Sequence, residues 1–153
     1  MSAYMLLLLP AIALSCPNRL VLSSSADTKI DRGNNYYTPA TPIPYECDWH
    51  YTEAVCIWDS SPRSNGRFSF VEHFPLEAWM EPAVLSAIVS FQTADYAWVY
   101  MNGVLVYESS GGSCDLRKYL VYGRTNEFRL DVQNYSGSGR ALYEVVISFS
   151  QGS

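Results

Sequence analysis

The sequence has few charged residues, and positive charge is the scarcer sign. Of its 153 residues 16% are charged, with 10 Lys and Arg against 15 Asp and Glu, which gives a net charge of −5. Such a surface repels the phosphates of nucleic acids, so we do not expect nucleic acid as a partner. The length suits one domain, and a hydrophobic content of 48% excludes a disordered chain.

Metal-binding and catalytic residue types are also sparse. The chain has two histidines, His50 and His73, and four cysteines without a C-x-x-C pair. These absences disfavour a zinc site and a Ser-His-Asp arrangement. The sequence identifies no metal ligands, and whether a metal binds stays open.

Two pairs of carboxylates have the residue types of a glycosidase, Glu72 with Glu77 and Asp59 with Glu53. A glycosidase needs its two carboxyl groups roughly 5 to 9.5 Å apart in one cleft. Nothing in the sequence brings either pair together in this way. We therefore expect a protein that is not an enzyme.

No apolar run is long enough to span a membrane. Residues 6–14 (LLLLPAIAL) are interrupted by Pro10 and fall short of the roughly 20 residues that a spanning helix needs. One interpretation is the apolar region of a secretion signal, and residues 14–16 loosely match a lipoprotein box. The other is an uncleaved arm that packs on its own domain or on a neighbouring subunit. The assembly residues of that arm are Leu6, Leu7, Leu8, Leu9 and Ile12.

The composition changes near residue 45. Residues 23–44 are rich in Ser, Asn, Thr and Pro, and Pro39, Pro42 and Pro44 exclude a regular helix. We interpret residues 1–44 as an apolar arm with a connector, and residues 45–153 as the folded domain.

The clearest local signal is the turn Asn102-Gly103 between two apolar runs. Asn-Gly is the preferred pair for a two-residue hairpin, because both positions need positive φ. The turn predicts four cross-strand pairs, which are Met101 with Val104, Tyr100 with Leu105, Val99 with Val106, and Trp98 with Tyr107.

Alternation along this hairpin predicts two faces. One face is aliphatic and suits a core: Ala97, Val99, Met101, Val104 and Val106. The other is largely aromatic: Tyr96, Trp98, Tyr100, Leu105 and Tyr107. Either another part of the chain covers this aromatic face, or it is a recognition surface for sugar rings or proteins. We add Trp49 to the candidate binding residues.

Further strands are predicted on both sides of the hairpin. Leu85 to Phe91 precedes it across a turn at Gln92 to Asp95, residues 127–133 alternate charged and apolar side chains, and Leu142 to Phe149 closes the domain. About seven short strands without helices predict an all-β, antiparallel two-layer sandwich.

The order of these segments resembles the galactose-binding-like jelly-roll sandwich, a carbohydrate-binding-module type of domain that accompanies many glycoside hydrolases. The resemblance covers residues 46–149. The residues that carry it are Ala54 to Trp58, Arg67 to Phe70, Phe74 to Leu76, Ala94 to Tyr96, Tyr100 to Gly103, Asp115-Leu116, Tyr119-Leu120, Gly123 to Phe128 and Val132 to Asn134. It implies a non-catalytic module, and a structural calcium ion, which many members hold.

The four cysteines leave two alternatives. In an oxidising compartment, Cys47 with Cys56 would staple a short segment, and Cys16 with Cys114 would tie the arm to the domain. In a cytosolically assembled protein, all four would be buried free thiols.

We therefore expect a non-catalytic structural and recognition protein on the exterior of a particle or cell, such as a virion component or an adhesin. Its partners would be other copies, neighbouring subunits or a glycan. The alternative is a secreted or lipidated carbohydrate-binding module that works beside a separate glycoside hydrolase.

Overall fold

The computed structural model describes residues 18–32, 36–43, 54–60 and 65–150, which form ten strands with antiparallel pairing throughout. Two short 3₁₀ segments, Ala78–Ala83 and Arg117–Tyr119, complete these ranges. No helix in them is long and apolar enough to cross a bilayer. The predicted all-β class is confirmed. The strands are β1 (Arg19–Ser23), β2 (Lys29–Asp31), β3 (Tyr37–Pro39), β4 (Thr41–Pro42), β5 (Ile57–Trp58), β6 (Gly66–Leu76), β7 (Val84–Met101), β8 (Val104–Asp115), β9 (Arg124–Asn134) and β10 (Ala141–Phe149).

The longest strand, β7, belongs to both layers of the sandwich. Its first half pairs with β10, from Val84 to Thr93, and its second half pairs with β9, from Tyr96 to Met101. We call the two layers the β10 layer, which adds β1, β5 and β4, and the β9 layer, which adds β6, β2 and β3. β8 runs along the free side of both halves of β7.

The predicted turn at Gln92 to Asp95 is wrong. These residues continue β7, and the register between β7 and β8 shifts between Gln92 and Ala97. A register shift bends a strand and lets it pass from one layer to the other. The polar stretch is therefore a bend in one strand.

The predicted hairpin is present. Asn102 and Gly103 have φ values of 51° and 79°, as the two-residue turn requires. Met101 lies opposite Val104 and Tyr100 opposite Leu105, as predicted. The asparagine side chain also ties the turn to its neighbours, because its Oδ1 accepts the Glu127 N–H at 2.8 Å and its Nδ2 donates to the Tyr119 carbonyl at 2.8 Å.

The other two predicted pairs of the hairpin are wrong. Val99 lies opposite Tyr107, and Trp98 lies opposite Glu108, because the register shifts by one residue after Tyr100. Val106 is the extra residue of this β-bulge. A bulge cannot be located from apolar alternation alone, since both sides of it remain apolar.

The core-facing side of β7 agrees with the sequence prediction. Ala97, Val99 and Met101 are fully buried against the even-numbered apolar residues of β9, whereas Val104 is 49% exposed. The prediction of a core position for Val104 is therefore wrong, because it begins an edge strand. The apolar positions of β9 that complete this core are Phe128, Leu130 and Val132.

The described part of residues 1–44 belongs to the sandwich. β1 pairs with β10, placing Leu20 opposite Ile147, and β2 pairs with β6, placing the buried Ile30 opposite Phe70. The interpretation of this stretch as a connector is thus corrected for its described residues. Short strands at sheet edges have little periodicity of their own, which explains the error. The arm residues Leu6, Leu7, Leu8, Leu9 and Ile12 lie outside the described residues.

A polar group between the layers links β6, β10 and the residue that precedes β2. The Tyr143 hydroxyl donates to Glu72 Oε1 at 2.5 Å, and Thr28 Oγ1 lies 3.0 Å from each of those oxygens. Burial and the Glu72 carboxylate raise the pKa of Tyr143 well above its usual value, so the hydroxyl remains a donor. Glu72 is therefore held by interior contacts.

We predict that Tyr143→Phe lowers the free energy of unfolding by about 2 kcal/mol, because the partly buried Glu72 carboxylate loses a short hydrogen bond. Urea unfolding followed by fluorescence measures the change. Tyr135→Phe is the matched control, since Tyr135 is 66% exposed and should be neutral. Equal stabilities for the Tyr143 variant and the parent would contradict this account.

Candidate functional site

Three aromatic side chains form a row on the outer side of β7. Ala97, Val99 and Met101 point into the core, so the alternate residues Tyr96, Trp98 and Tyr100 project away from it. Each lies opposite a polar residue of β9, which are Gln133, Asp131 and Arg129 in that order. We call this surface, together with Arg67 of β6, the β7 outer face.

Arg67 fixes the ring of Trp98. Its guanidinium carbon lies 4.1 Å from the centre of that ring, a cation–π contact. Its Nη2 donates to Asp131 Oδ2 at 2.6 Å and to the Tyr100 hydroxyl at 3.4 Å. Partial burial opposes the charge, but the Asp131 carboxylate outweighs it and raises the pKa of Arg67. Trp98 is thus oriented before any ligand arrives.

Asp131 has one oxygen in use and one free. Asp131 is 8% exposed, and its Oδ1 has no hydrogen-bond partner among the described residues. A buried acceptor without a partner is costly, by about 1–3 kcal/mol. Asp131 is the cross-strand partner of Trp98. The buried carboxylate therefore acts from beneath the surface, where it holds Arg67 against Trp98.

The rest of the surface carries both signs of charge. Arg129 pairs with Asp31 at 2.8 Å and approaches Glu127 at 3.6 Å, and His73 lies 3.2 Å from Glu127. A surface with paired cations and anions offers donors and acceptors without a strong net field. That chemistry suits a neutral, hydroxyl-rich ligand better than a polyanion.

Tyr107 does not join this row. Because of the bulge at Val106, it lies opposite Val99, and its ring contacts the buried ring of Phe91 edge-on at 6.0 Å. The prediction that Tyr107 shares the face of Trp98 is therefore wrong. The predicted binding residues Tyr96, Trp98 and Tyr100 are brought together, whereas Trp49 lies outside the described residues.

Sequence reasoning missed Arg67 and Asp131 as parts of the surface. Alternation along residues 127–133 correctly predicted that one side of β9 is polar, which includes Asp131. It could not show that β9 lies between β6 and β7, which brings Arg67 and Trp98 to the same carboxylate. No local signal specifies that neighbourhood.

The described cysteines exclude the alternative of four free thiols and one of the two predicted disulfides. Cys56 is disulfide-bonded, with a partner outside the described residues, so four free thiols are excluded. Cys114 is free and half-buried, which excludes the predicted bond with Cys16. The predicted pairing of Cys56 with Cys47 stays a prediction. Burial and the nearby Asp115 raise the pKa of the Cys114 thiol to about 11, so it is a weak nucleophile at neutral pH.

Two of the four nominated carboxylates have structural partners. Glu72 bonds Tyr143 inside the sandwich, and Asp59 pairs with Arg32. Glu77 is exposed just before the first 3₁₀ segment, and Glu53 lies outside the described residues. No group of three or more His, Cys, Asp or Glu in the described ranges is arranged to hold a metal ion.

No protein-family model matches the chain, and no curated protein matches it. Solved structures do match in fold. A β-glucuronidase of Ruminococcus gnavus aligns at 13% identity and a TM-score of 0.55, over 88% of this chain and 30% of that one. A protein assigned as a β-galactosidase, from Bacteroides fragilis, aligns at 13% identity and a TM-score of 0.55, over 84% of this chain and 23% of that one. A rhamnosidase of Bacillus sp. GL1 aligns at 17% identity and a TM-score of 0.51, over 63% of this chain and 12% of that one.

The chain spans less than a third of the length of each of these enzymes. What they share with it is a single β-sandwich unit. Glycoside hydrolases of this kind carry such sandwiches as non-catalytic domains. At these identities the likeness concerns the fold alone.

We predict that Arg67→Met lowers the free energy of unfolding by about 1–2 kcal/mol, because Asp131 is left as a buried carboxylate without a cation. In an Asp131→Asn background the same substitution should cost less than about 0.5 kcal/mol. Urea unfolding of the parent, the two single variants and the double variant measures the coupling between Arg67 and Asp131. Arg124→Met is the control, because Arg124 is exposed and has no ion pair in the described ranges. Equal costs in both backgrounds would refute the coupling.

Proposed function

We propose that this chain, a galactose-binding-like β-sandwich by fold, is a non-catalytic recognition module on the exterior of a particle or cell that binds glycan through its β7 outer face. A carbohydrate-binding-like domain related to those of glycoside hydrolases is what the fold supports. The glycan ligand, the β7 outer face as its site and the exterior location are our proposals. A virion component and an adhesin would each fit them.

One observation carries the glycan proposal, which is the indole of Trp98 held by Arg67 on the outer side of β7. A pyranose ring has an apolar face of C–H groups that packs on an aromatic ring, and hydroxyls at its edge that need donors and acceptors. Trp98 offers the ring. The Tyr100 hydroxyl and the Arg67 guanidinium are polar groups within the same cluster, and Asp131 holds the guanidinium in place.

Two further observations support the rest of the proposal. Glu72 bonds Tyr143 and Asp59 pairs with Arg32, so both carboxylates have a structural role. This supports a module without catalysis. The disulfide at Cys56 supports an oxidising compartment, since such bonds persist outside the cytosol.

A second candidate is a secreted or lipidated carbohydrate-binding module that acts beside a separate glycoside hydrolase. The comparisons favour it, because the matching unit belongs to much longer glycoside hydrolases. Both candidates use the same sandwich. They differ in what residues 1–17 do.

We predict that Trp98→Ala strongly weakens glycan binding on an array of plant, bacterial and mammalian oligosaccharides, because it removes the site on the β7 outer face. Loss of the indole removes the stacking surface and frees Arg67 from its position. Trp79→Ala is the matched control, because Trp79 is 49% exposed on the first 3₁₀ segment, beyond the opposite end of β7. Asp131→Asn should retain folding and weaken binding. Unchanged binding by Trp98→Ala, or no glycan bound by the parent, would contradict the proposal.

We predict that a version starting at Asn18 has a lower oligomeric state than the full chain, because Leu6 to Leu9 and Ile12 would contact neighbouring subunits. This start retains β1 and hence the sandwich. Size-exclusion chromatography with light scattering gives the mass of each protein. Equal masses would deny the arm its role, and lipid on Cys16 or removal of the first residues in the native protein would favour the second candidate.

A further inference from the structure

A cavity of about 670 Å³ lies on the core side of the edge strand β8, away from the β7 outer face. It forms because the ribbon of β7 and β8 bends between the two layers. Val106 and Cys114, near opposite ends of β8, therefore both face it. Residues of the two 3₁₀ segments, together with Tyr122, line its other side, which is open to solvent. Small-molecule sites have volumes of roughly 300–1,000 Å³, so this space is of ordinary size for one.

The apolar part of the wall is continuous with the core. Val106, Cys114, Tyr119 and Tyr122 pack partly buried against it, and Leu120 is part of it. The ammonium of Lys118 lies 5.1 Å from the centre of the Tyr119 ring. This wall would receive the C–H face of a ligand.

The polar part of the wall has two acids and two bases. Asp115 Oδ1 accepts the backbone N–H of Arg117 at 2.8 Å, and Arg117 Nη1 donates to the Leu85 carbonyl at 3.1 Å. These two contacts hold the guanidinium at the rim. Glu81, also in the lining, has no hydrogen-bond or ion-pair partner among the described residues. The cavity thus presents a carboxylate that nothing described neutralises and a guanidinium with spare N–H groups.

Tyr122 also lines the cavity, where both Glu81 and Arg117 act on its hydroxyl. Burial and the Glu81 carboxylate raise the pKa of its hydroxyl, while Arg117 opposes the rise. The hydroxyl therefore stays protonated at neutral pH and both donates and accepts. The cavity thus has a hydrogen-bond acceptor in Glu81, a donor in Arg117 and a hydroxyl of both kinds in Tyr122, beside one apolar wall. Vicinal hydroxyls on a sugar ring need such a set of partners. The two acids and two bases leave the lining without net charge, which favours a neutral ligand over an anion or a cation.

We propose that this cavity is a second glycan subsite, which takes one neutral pyranose unit. Glu81 and Tyr122 bind its hydroxyls, Arg117 donates to a further oxygen, and its C–H face packs on Tyr119, Leu120 and Val106. The inference rests on the proposed glycan function and adds to it a site with its own residues. Trp98 has no part in it.

Cys114 provides a direct readout, because the thiol lines the cavity and is free. The probes are the methyl pyranosides of glucose, galactose, mannose and rhamnose, with mannitol as the acyclic control and glycine as a zwitterionic control. Alkylation of Cys114 by N-ethylmaleimide at mildly alkaline pH is followed by peptide mass spectrometry. We expect at least one pyranoside to slow the alkylation at least fivefold in a saturable manner, and mannitol to leave it unchanged.

Variants separate this site from the β7 outer face. Glu81→Gln and Tyr122→Phe should each raise the half-protecting sugar concentration at least fivefold. Glu77→Gln is the matched control, since Glu77 is exposed and does not line the cavity. Trp98→Ala should leave protection unchanged.

Each other outcome overturns the subsite. Protection that Trp98→Ala removes and Glu81→Gln does not would mean that the sugar binds only the β7 outer face, and the proposed function would stand without the cavity. Protection by glycine instead of a pyranoside would mean a site for zwitterions. The absence of protection by all four sugars would refute the subsite directly, and a glycan array without a bound glycan would then remove the proposed function as well.

Discussion

The structure depends on β7, a single strand that pairs with both layers of the sandwich. Its eighteen residues pair first with β10 and then with β9, while β8 covers the remaining side. Every residue of such a strand must hydrogen-bond on both sides and must also alternate between core and surface. Burial of Ala97, Val99 and Met101 fixes that alternation, and it leaves Tyr96, Trp98 and Tyr100 outside.

The same strand explains both candidate sites. On its outer side, the neighbouring β9 supplies Asp131, and β6 supplies Arg67 one strand further away. On its inner side, the bend that carries β7 and β8 between the layers opens the space beside Val106 and Cys114. A straight pair of strands would place the aromatic row on a flat sheet and would leave no cavity beneath β8.

Local sequence determined the parts of this arrangement that depend on neighbours along the chain. Asn102-Gly103 specified the turn, and alternation specified the buried side of β7 and the polar side of β9. The bulge at Val106 was not predictable, because adjacent residues on both sides are apolar. It moved Tyr107 from the row of Trp98 to the side of Val99.

The remaining errors concern contacts between distant segments. Residues 19–42 were interpreted as arm and connector, yet Leu20 and Ile30 enter the core through pairing with β10 and β6. Gln92 to Asp95 have the composition of a turn, but strands on both sides hold them extended. Arg67 became part of the site only through the order of strands. Alternation constrains the face of a residue and says nothing about its partner strand.

The central claim is that the indole of Trp98 lies outside the sandwich, oriented by Arg67, and meets the glycan. The most direct measurement is a titration of the ¹⁵N-labelled protein with a glycan that it binds, followed by NMR at the indole N–H groups. The account predicts a saturable shift of the Trp98 indole resonance, with little change at Trp58, which is buried in the core. A Trp98 resonance that stays in place at saturating glycan would contradict the account.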